Sequence, residues 1–206
     1  MRIKFPKKKS KKYIENFFIK KGLKSLVEYS KGKHATVNQK TALKPIPPEL
    51  DDLYNLYQYI VLNKRTTICE FGSGWSSLIF NLALRDLKIK FTNDVKKLRM
   101  NNPFELFVIE NEKKFLNISK KRIEKFNKIL KIKNPIKINY TFTDVEMALF
   151  NDRICTQYKK LPLCNPDFIY LDGPNQFNIK KQINGISIKH KDMMPMNCDI
   201  LKLEYF

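Results

Sequence analysis

The chain is short of acidic residues and histidine, and it lacks closely spaced cysteines, long apolar runs and repeats. Each shortage excludes something. No apolar run reaches the roughly 20 residues that a membrane-spanning helix needs, so no span is expected. The segment Met1 to Lys9 is basic but is not followed by an uninterrupted apolar core, which argues against a secretory signal peptide. Cys69, Cys155, Cys164 and Cys198 are widely spaced, with no C-x-x-C pair. Unpaired and mostly flanked by apolar residues, they point to a reducing, cytoplasmic location. With 20 Asp and Glu against 40 Lys and Arg, the formal net charge is +20. Clustered cations of that kind suit a nucleic-acid partner, because they release counterions from phosphates. Lysine, however, greatly outnumbers arginine, alanine is scarce, and Asn, Ile and Phe are abundant. An AT-rich genome imposes that composition whatever the function. Beyond a concentration in the first 25 residues, lysine is spread along the whole chain, so nucleic acid is a secondary reading.

At 206 residues, with 43% hydrophobic residues and 15 Phe, the chain is long enough for one α/β domain with a substantial core. Residues 1–47 read as a basic leader. Tyr13, Phe17, Phe18 and Leu23 line one face of a short peripheral helix, with lysines solvated on the other. Pro45-Ile46-Pro47-Pro48 signals a helix start, and Glu49, Asp51 and Asp52 complement its dipole. That helix runs through Leu53, Leu56, Tyr57 and Ile60 to about residue 63 and opens the main domain, 48–206. A first strand follows at Thr66 to Phe71, then a helix from Trp75 to Leu84. Residues 86–103 read as a lengthened polar connection. Phe104 to Glu110 is a second strand ending in a carboxylate. Lys113 to Leu130 is a helix with Phe115, Ile118, Ile123, Phe126 and Leu130 as core positions. Pro135 to Phe142 alternates as a third strand, closed by Thr143-Asp144-Val145-Glu146, where Thr143-Asp144 also fits a helix cap. Pro166 to Asp172 is a fourth strand running into Gly173-Pro174. This alternation predicts a doubly wound, mainly parallel sheet, with the first and fourth strands adjacent and ligands at the strands' carboxyl ends.

The chemistry concentrates in Glu70-Phe71-Gly72-Ser73-Gly74-Trp75-Ser76-Ser77. Gly72 and Gly74 permit a tight turn and close approach. The free N–H groups of the following helix form an anion site, whereas Glu70 attracts an ammonium. A ligand with both an amine and an acid is expected, and S-adenosylmethionine is one. A dinucleotide turn would be G-x-G-x-x-G, but Ser77 stands at the third glycine's place. Glu70 to Gly74 resembles the first motif of class I S-adenosylmethionine-dependent methyltransferases. The resemblance covers roughly residues 48–206 and is closest to bacterial members with an E-F-G-S-G-W-S turn and a Y-L-D-G-P strand end. It implies a Rossmann-like fold with S-adenosylmethionine as cofactor. Gly72, Ser73 and Gly74 would lie against its methionine moiety, and Glu70 would hold the ammonium directly or through water. Glu110 would accept both ribose hydroxyls. Asp144, with the backbone at Val145, would meet the adenine amine.

Asp172 occupies the place where the family faces cofactor and substrate together. Base-amine methyltransferases carry an Asp or Asn followed by two prolines and an aromatic there, and Leu171-Asp172-Gly173-Pro174-Asn175 departs from that pattern. A carboxylate suits oxygen methylation better, as a base or as one ligand of a divalent cation. In the metal-dependent subgroup the other ligands follow a fifth strand, so no metal site is assigned. His190 falls in a loop expected over the site, where it would act as a proton acceptor or lie solvated between two lysines. The expected acceptor is a small molecule or saccharide. The family's sheet ordinarily carries further strands, so a C-terminally truncated and catalytically weak chain is expected, with Leu201, Leu203 and Tyr205 partly exposed. Two readings from other classes stand beside this one: a nucleotide-dependent (NAD-type) oxidoreductase, and a non-catalytic or nucleic-acid-binding remnant using the basic leader.

Overall fold

The computed structural model describes residues 2–33, 41–188 and 196–203. Its elements in chain order are α1 (Lys11–Lys20), α2 (Lys24–Tyr29), α3 (Leu50–Leu62), β1 (Thr67–Phe71), α4 (Trp75–Val95), β2 (Glu105–Glu110), α5 (Lys113–Ile129), β3 (Lys137–Phe142), β4 (Val145–Phe150), β5 (Arg153–Tyr158), β6 (Phe168–Leu171) and α6 (Asp199–Lys202). Four strands form one parallel sheet in the order β3-β2-β1-β6. The chain is thus mixed α/β, and β1 and β6, the first and fourth strands read from the sequence, are neighbours. Asp167 fixes that pairing: its carboxylate accepts the amide N–H groups of Thr66 at 2.8 Å and Thr67 at 2.9 Å.

Buried parallel strands are apolar on both faces, and β1 and β2 follow this rule. Ile68, Leu106 and Val108 face a core built by α1 to α5, including Phe18, Leu26, Ile60, Leu82 and Ile123. Cys69, Phe71, Phe107 and Ile109 face the other way, against Val145, Met147, Tyr158 and Ile179. The expected double winding is therefore corrected. Among the described residues, α1 to α5 cover one face, while the antiparallel hairpin β4–β5 and the chain around Ile179 cover the other. The single-turn α6 packs on β5. Asn151 and Asp152, at φ +48° and +60°, make the two-residue turn of that hairpin. Both types tolerate the left-handed region.

Two further expectations change. The leader is not peripheral, because Ile14, Phe18, Leu23, Leu26 and Val27 are buried in the same core as α3 and α4. Residues 86–95 continue α4 rather than forming a connection, since Leu87 and Val95 extend its buried stripe. Asp86 then becomes a clamp. Its carboxylate accepts from Lys21 at 2.5 Å and Tyr57 Oη at 2.7 Å, and pairs with Arg85 at 3.1 Å. Burial pushes its pKa up, but these partners outweigh that and hold it below the ordinary carboxylate value. Asp86→Ala is expected to cost about 1–2 kcal/mol, read as a lower urea midpoint. That difference should shrink as the pH falls below the carboxylate range, where Asp86 itself takes up a proton.

No strand among the described residues pairs with the outer edge of β6. Leu201 is exposed and Leu203 packs partly against the second core, while Tyr205 lies outside the described residues. Among the described residues, no helix is long and apolar enough to cross a membrane.

Candidate ligand-binding cleft

The carboxyl ends of β1, β2 and β6 open into a cleft of about 680 Å³, within the size range of small-molecule sites. Its floor is Gly72 to Ser76, Glu110 and Asp172 to Pro174. Residues 44–47, with Leu53 and Leu56 of α3, form one wall, and Phe115, Ile118 and Arg122 of α5 form another. Lys114 ties the first wall down by donating to the Leu43 carbonyl at 3.0 Å.

Two glycines make the floor possible. Gly72 has φ +102°, and a Cβ there would lie 3.1 Å from the Asp172 carbonyl carbon and the Gly173 nitrogen. A Cβ on Gly173 would meet Tyr158 Oη at 2.7 Å and Gly72 Cα at 2.9 Å. The ends of β1 and β6 thus pack backbone on backbone. Gly74 differs, because its φ of −174° is ordinary extended backbone and a Cβ there would meet only Ser76 Oγ, at 3.8 Å.

Glu70 is fully buried beneath the turn, not in the cleft. Both serines of the first α4 turn donate to its carboxyl group, Ser77 at 2.6 Å and Ser76 more closely still. Loss of hydration pushes its pKa up to about 8; the two hydroxyls oppose this, and the charges of Asp172 and Glu110 add to it. Ser76 lines the cleft and is the contact through which Glu70 reaches it. A carboxyl that keeps its proton to about pH 8 when folded, but loses it near pH 4–5 when unfolded, binds more protons in the native state over that interval. Stability then falls as pH rises across it, at up to about 1.4 kcal/mol per pH unit. Glu70→Gln cannot titrate and is expected to flatten that decline, as shown by urea unfolding of both proteins between pH 5 and 9. Parallel pH profiles would refute the assignment.

Glu110 is 3% exposed and faces the cleft from the end of β2. Ser73 donates to one oxygen at 2.7 Å, and the amides of Asn111 and Glu112 donate to the other at 2.8 and 2.9 Å. Burial raises its pKa against the opposing pull of these donors. The Asp172 amide donates to the Phe71 carbonyl at 2.8 Å, whereas its carboxylate makes no hydrogen bond or ion pair with another described residue and stands accessible in the cleft. Partial loss of hydration against the cleft walls raises its pKa.

The cleft has a clasp that sequence reasoning missed. The Asn111 side chain accepts the Asn175 amide N–H at 3.0 Å, and Asn175 and Asn178 each donate to one Glu112 oxygen at 2.9 Å. This ties the loop after β6 to the loop after β2. Trp75 and Arg122 were missed too: the guanidinium lies 3.6 Å above the centre of the indole ring.

The expected site residues do not all converge. Gly72, Ser73, Gly74, Glu110 and Asp172 line one cleft, and Glu70 lies directly under it. Asp144 and Val145 stand apart. Asp144 pairs with Lys180 at 2.8 Å and Lys159 at 3.8 Å, and Lys180 is the main cause of its lowered pKa. Val145 is bound in the hairpin opposite Tyr158, so Thr143-Asp144 precedes a strand and caps no helix. His190 lies outside the described residues. Among the described residues, no three His, Cys, Asp or Glu side chains converge as a metal site. Comparison of the chain with protein-family models, curated proteins and solved structures found no match.

Proposed function

We propose that the chain is an S-adenosylmethionine-dependent methyltransferase of Rossmann-like fold, acting on a hydroxyl of a small molecule or saccharide. The observation that carries this reading is the pairing of a side-chain-free turn, Gly72 against Gly173, with the buried carboxylate Glu110 on the same cleft. The first closes the ends of β1 and β6 backbone on backbone, so that main chain floors the cleft there, and the second offers a carboxylate whose Ser73-bound oxygen can turn to a diol. The residues fit the cofactor: the turn would hold its methionine part, Glu110 its ribose, and Glu70 its ammonium by way of Ser76. When bound, S-adenosylmethionine supplies an activated methyl group. Asp172 stands where it can take the proton of an acceptor hydroxyl, and its raised pKa brings it closer to the operating pH of a base. The walls from α3 and α5 exclude water and orient the acceptor, and orientation supplies much of the rate.

A nucleotide-dependent oxidoreductase would use the same strand ends. Ser77, however, at the place of a dinucleotide turn's third glycine, is turned under the floor onto Glu70. Calorimetric titration of the full chain separates the two readings. S-adenosylhomocysteine is expected to bind saturably at one site, with no heat from NAD. Binding of NAD alone would replace this reading with the oxidoreductase.

A further inference from the structure

We propose that the α5 wall of the cleft is an anion subsite, in which the Arg122 guanidinium receives a carboxylate or phosphate group of the methyl acceptor. This rests on the methyltransferase reading and names the class of its substrate.

Arg122 is set apart from the other cations of its helix. Lys113, Lys114, Lys120, Lys121, Lys125 and Lys128 are all exposed, whereas Arg122 is half-buried and lines the cleft. Its guanidinium lies over the Trp75 ring, and the ring of Tyr29 lies 5.4 Å from the same indole. This contact with the ring face holds the group in place but needs none of its five N–H donors. Among the described residues, the Arg122 guanidinium has no hydrogen bond and no carboxylate partner; Arg85, by contrast, is paired with Asp86. A cation taken out of water without a partner is unfavourable, and its pKa is lowered to about 10 by that burial. It nevertheless remains charged at neutral pH.

The cleft's acids do not answer it. Glu49, Asp52, Glu110 and Asp172 line the same space, yet among the described residues none of them pairs with Arg122. The cleft carries both signs of charge. Glu110 and Asp172 lie at the strand ends, where a cationic cofactor is expected, Glu49 and Asp52 lie by α3, and Lys44 lies on the first wall. Arg122, the one guanidinium among the lining residues, lies on α5. Planar, forked donors are suited to carboxylate and phosphate. An acceptor bearing such a group would be held by Arg122 while its hydroxyl faces Asp172.

Trp75 is the sole tryptophan of the chain, so its fluorescence reports on the subsite directly. The experiment titrates the full chain with inorganic phosphate and, separately, with acetate, at ionic strength held constant with sodium chloride, in the presence and absence of S-adenosylhomocysteine. A saturable change in emission is expected for at least one anion, and which of the two acts distinguishes phosphate from carboxylate recognition. Arg122→Gln, checked for an unchanged melting temperature, should weaken that response at least tenfold, and Arg122→Lys should weaken it less. No saturable response in the parent chain, or an equal response in Arg122→Gln, overturns the proposal. It is also overturned if Arg122→Gln weakens S-adenosylhomocysteine but not 5′-methylthioadenosine, which would give Arg122 to the cofactor's own carboxylate. Failure of the parent chain to bind S-adenosylhomocysteine would instead strike the methyltransferase reading, and the anion response would still decide the subsite.

Discussion

Gly72→Ala is expected to abolish S-adenosylhomocysteine binding and to destabilise the chain by about 2–4 kcal/mol. Two independent causes act at this position. At φ +102° an L side chain is strained, and its Cβ would sit 3.1 Å from the Asp172 carbonyl carbon and the Gly173 nitrogen. Backbone cannot swing aside as the tip of a side chain can. The ends of β1 and β6 would have to separate, carrying Asp172 away from the turn. The hydrogen bond from the Gly72 amide to the Ile109 carbonyl, 2.8 Å long, would be disturbed with them. Gly74→Ala is the matched control, because its backbone is extended and its Cβ has room. It is expected to cost less than about 1 kcal/mol. Urea unfolding and calorimetry on the three proteins provide the check. Equal stability and binding in Gly72→Ala would show that the close packing of the two turns is unimportant.

Replacing Glu110 is expected to weaken S-adenosylhomocysteine by about 1.5–3 kcal/mol, the scale of charge-assisted hydrogen bonds. Alanine would also strand three donors: the Ser73 hydroxyl and the amides of Asn111 and Glu112. Glu110→Gln is the cleaner variant, since its carbonyl oxygen can still receive the two amides while the negative charge on the diol side is lost. Calorimetry on the Gln variant, with thermal unfolding to confirm the fold, separates a ribose role from a structural one. A change in affinity within twofold would remove Glu110 from the ligand's binding groups.

Much of the sheet was readable because its strands are buried on both faces. Thr66 to Phe71 and Phe104 to Glu110 are apolar runs of strand length, each ending in polar or turn residues, and the parallel order follows from the helices between them. The hairpin Val145–Tyr158 escaped notice because polar and charged residues are mixed among its apolar ones. Asn151-Asp152 between two short apolar-rich runs was the available signal. The leader was misjudged because lysines dominate its composition. Burial of Ile14, Phe18 and Leu26 depends on α3 and α4, which local patterning does not reveal. Within the cleft, Gly72, Glu110 and Asp172 were legible because each ends a strand. The Asn111–Asn175 clasp and the Arg122–Trp75 contact join residues 64 and 47 positions apart, and no local spacing encodes them. The placing of Glu70 beneath the turn follows from Ser76 and Ser77, whose hydroxyls turn inward to its carboxyl group rather than toward a ligand.

A crystal structure of the full chain grown with S-adenosylhomocysteine tests the account most directly. The ligand is expected in the cleft, with both ribose hydroxyls within hydrogen-bonding distance of Glu110 and the homocysteine moiety along Gly72 to Gly74. Its sulfur should face the side of Asp172. Ligand density elsewhere on the chain, or a ribose bound away from Glu110, would contradict the reading.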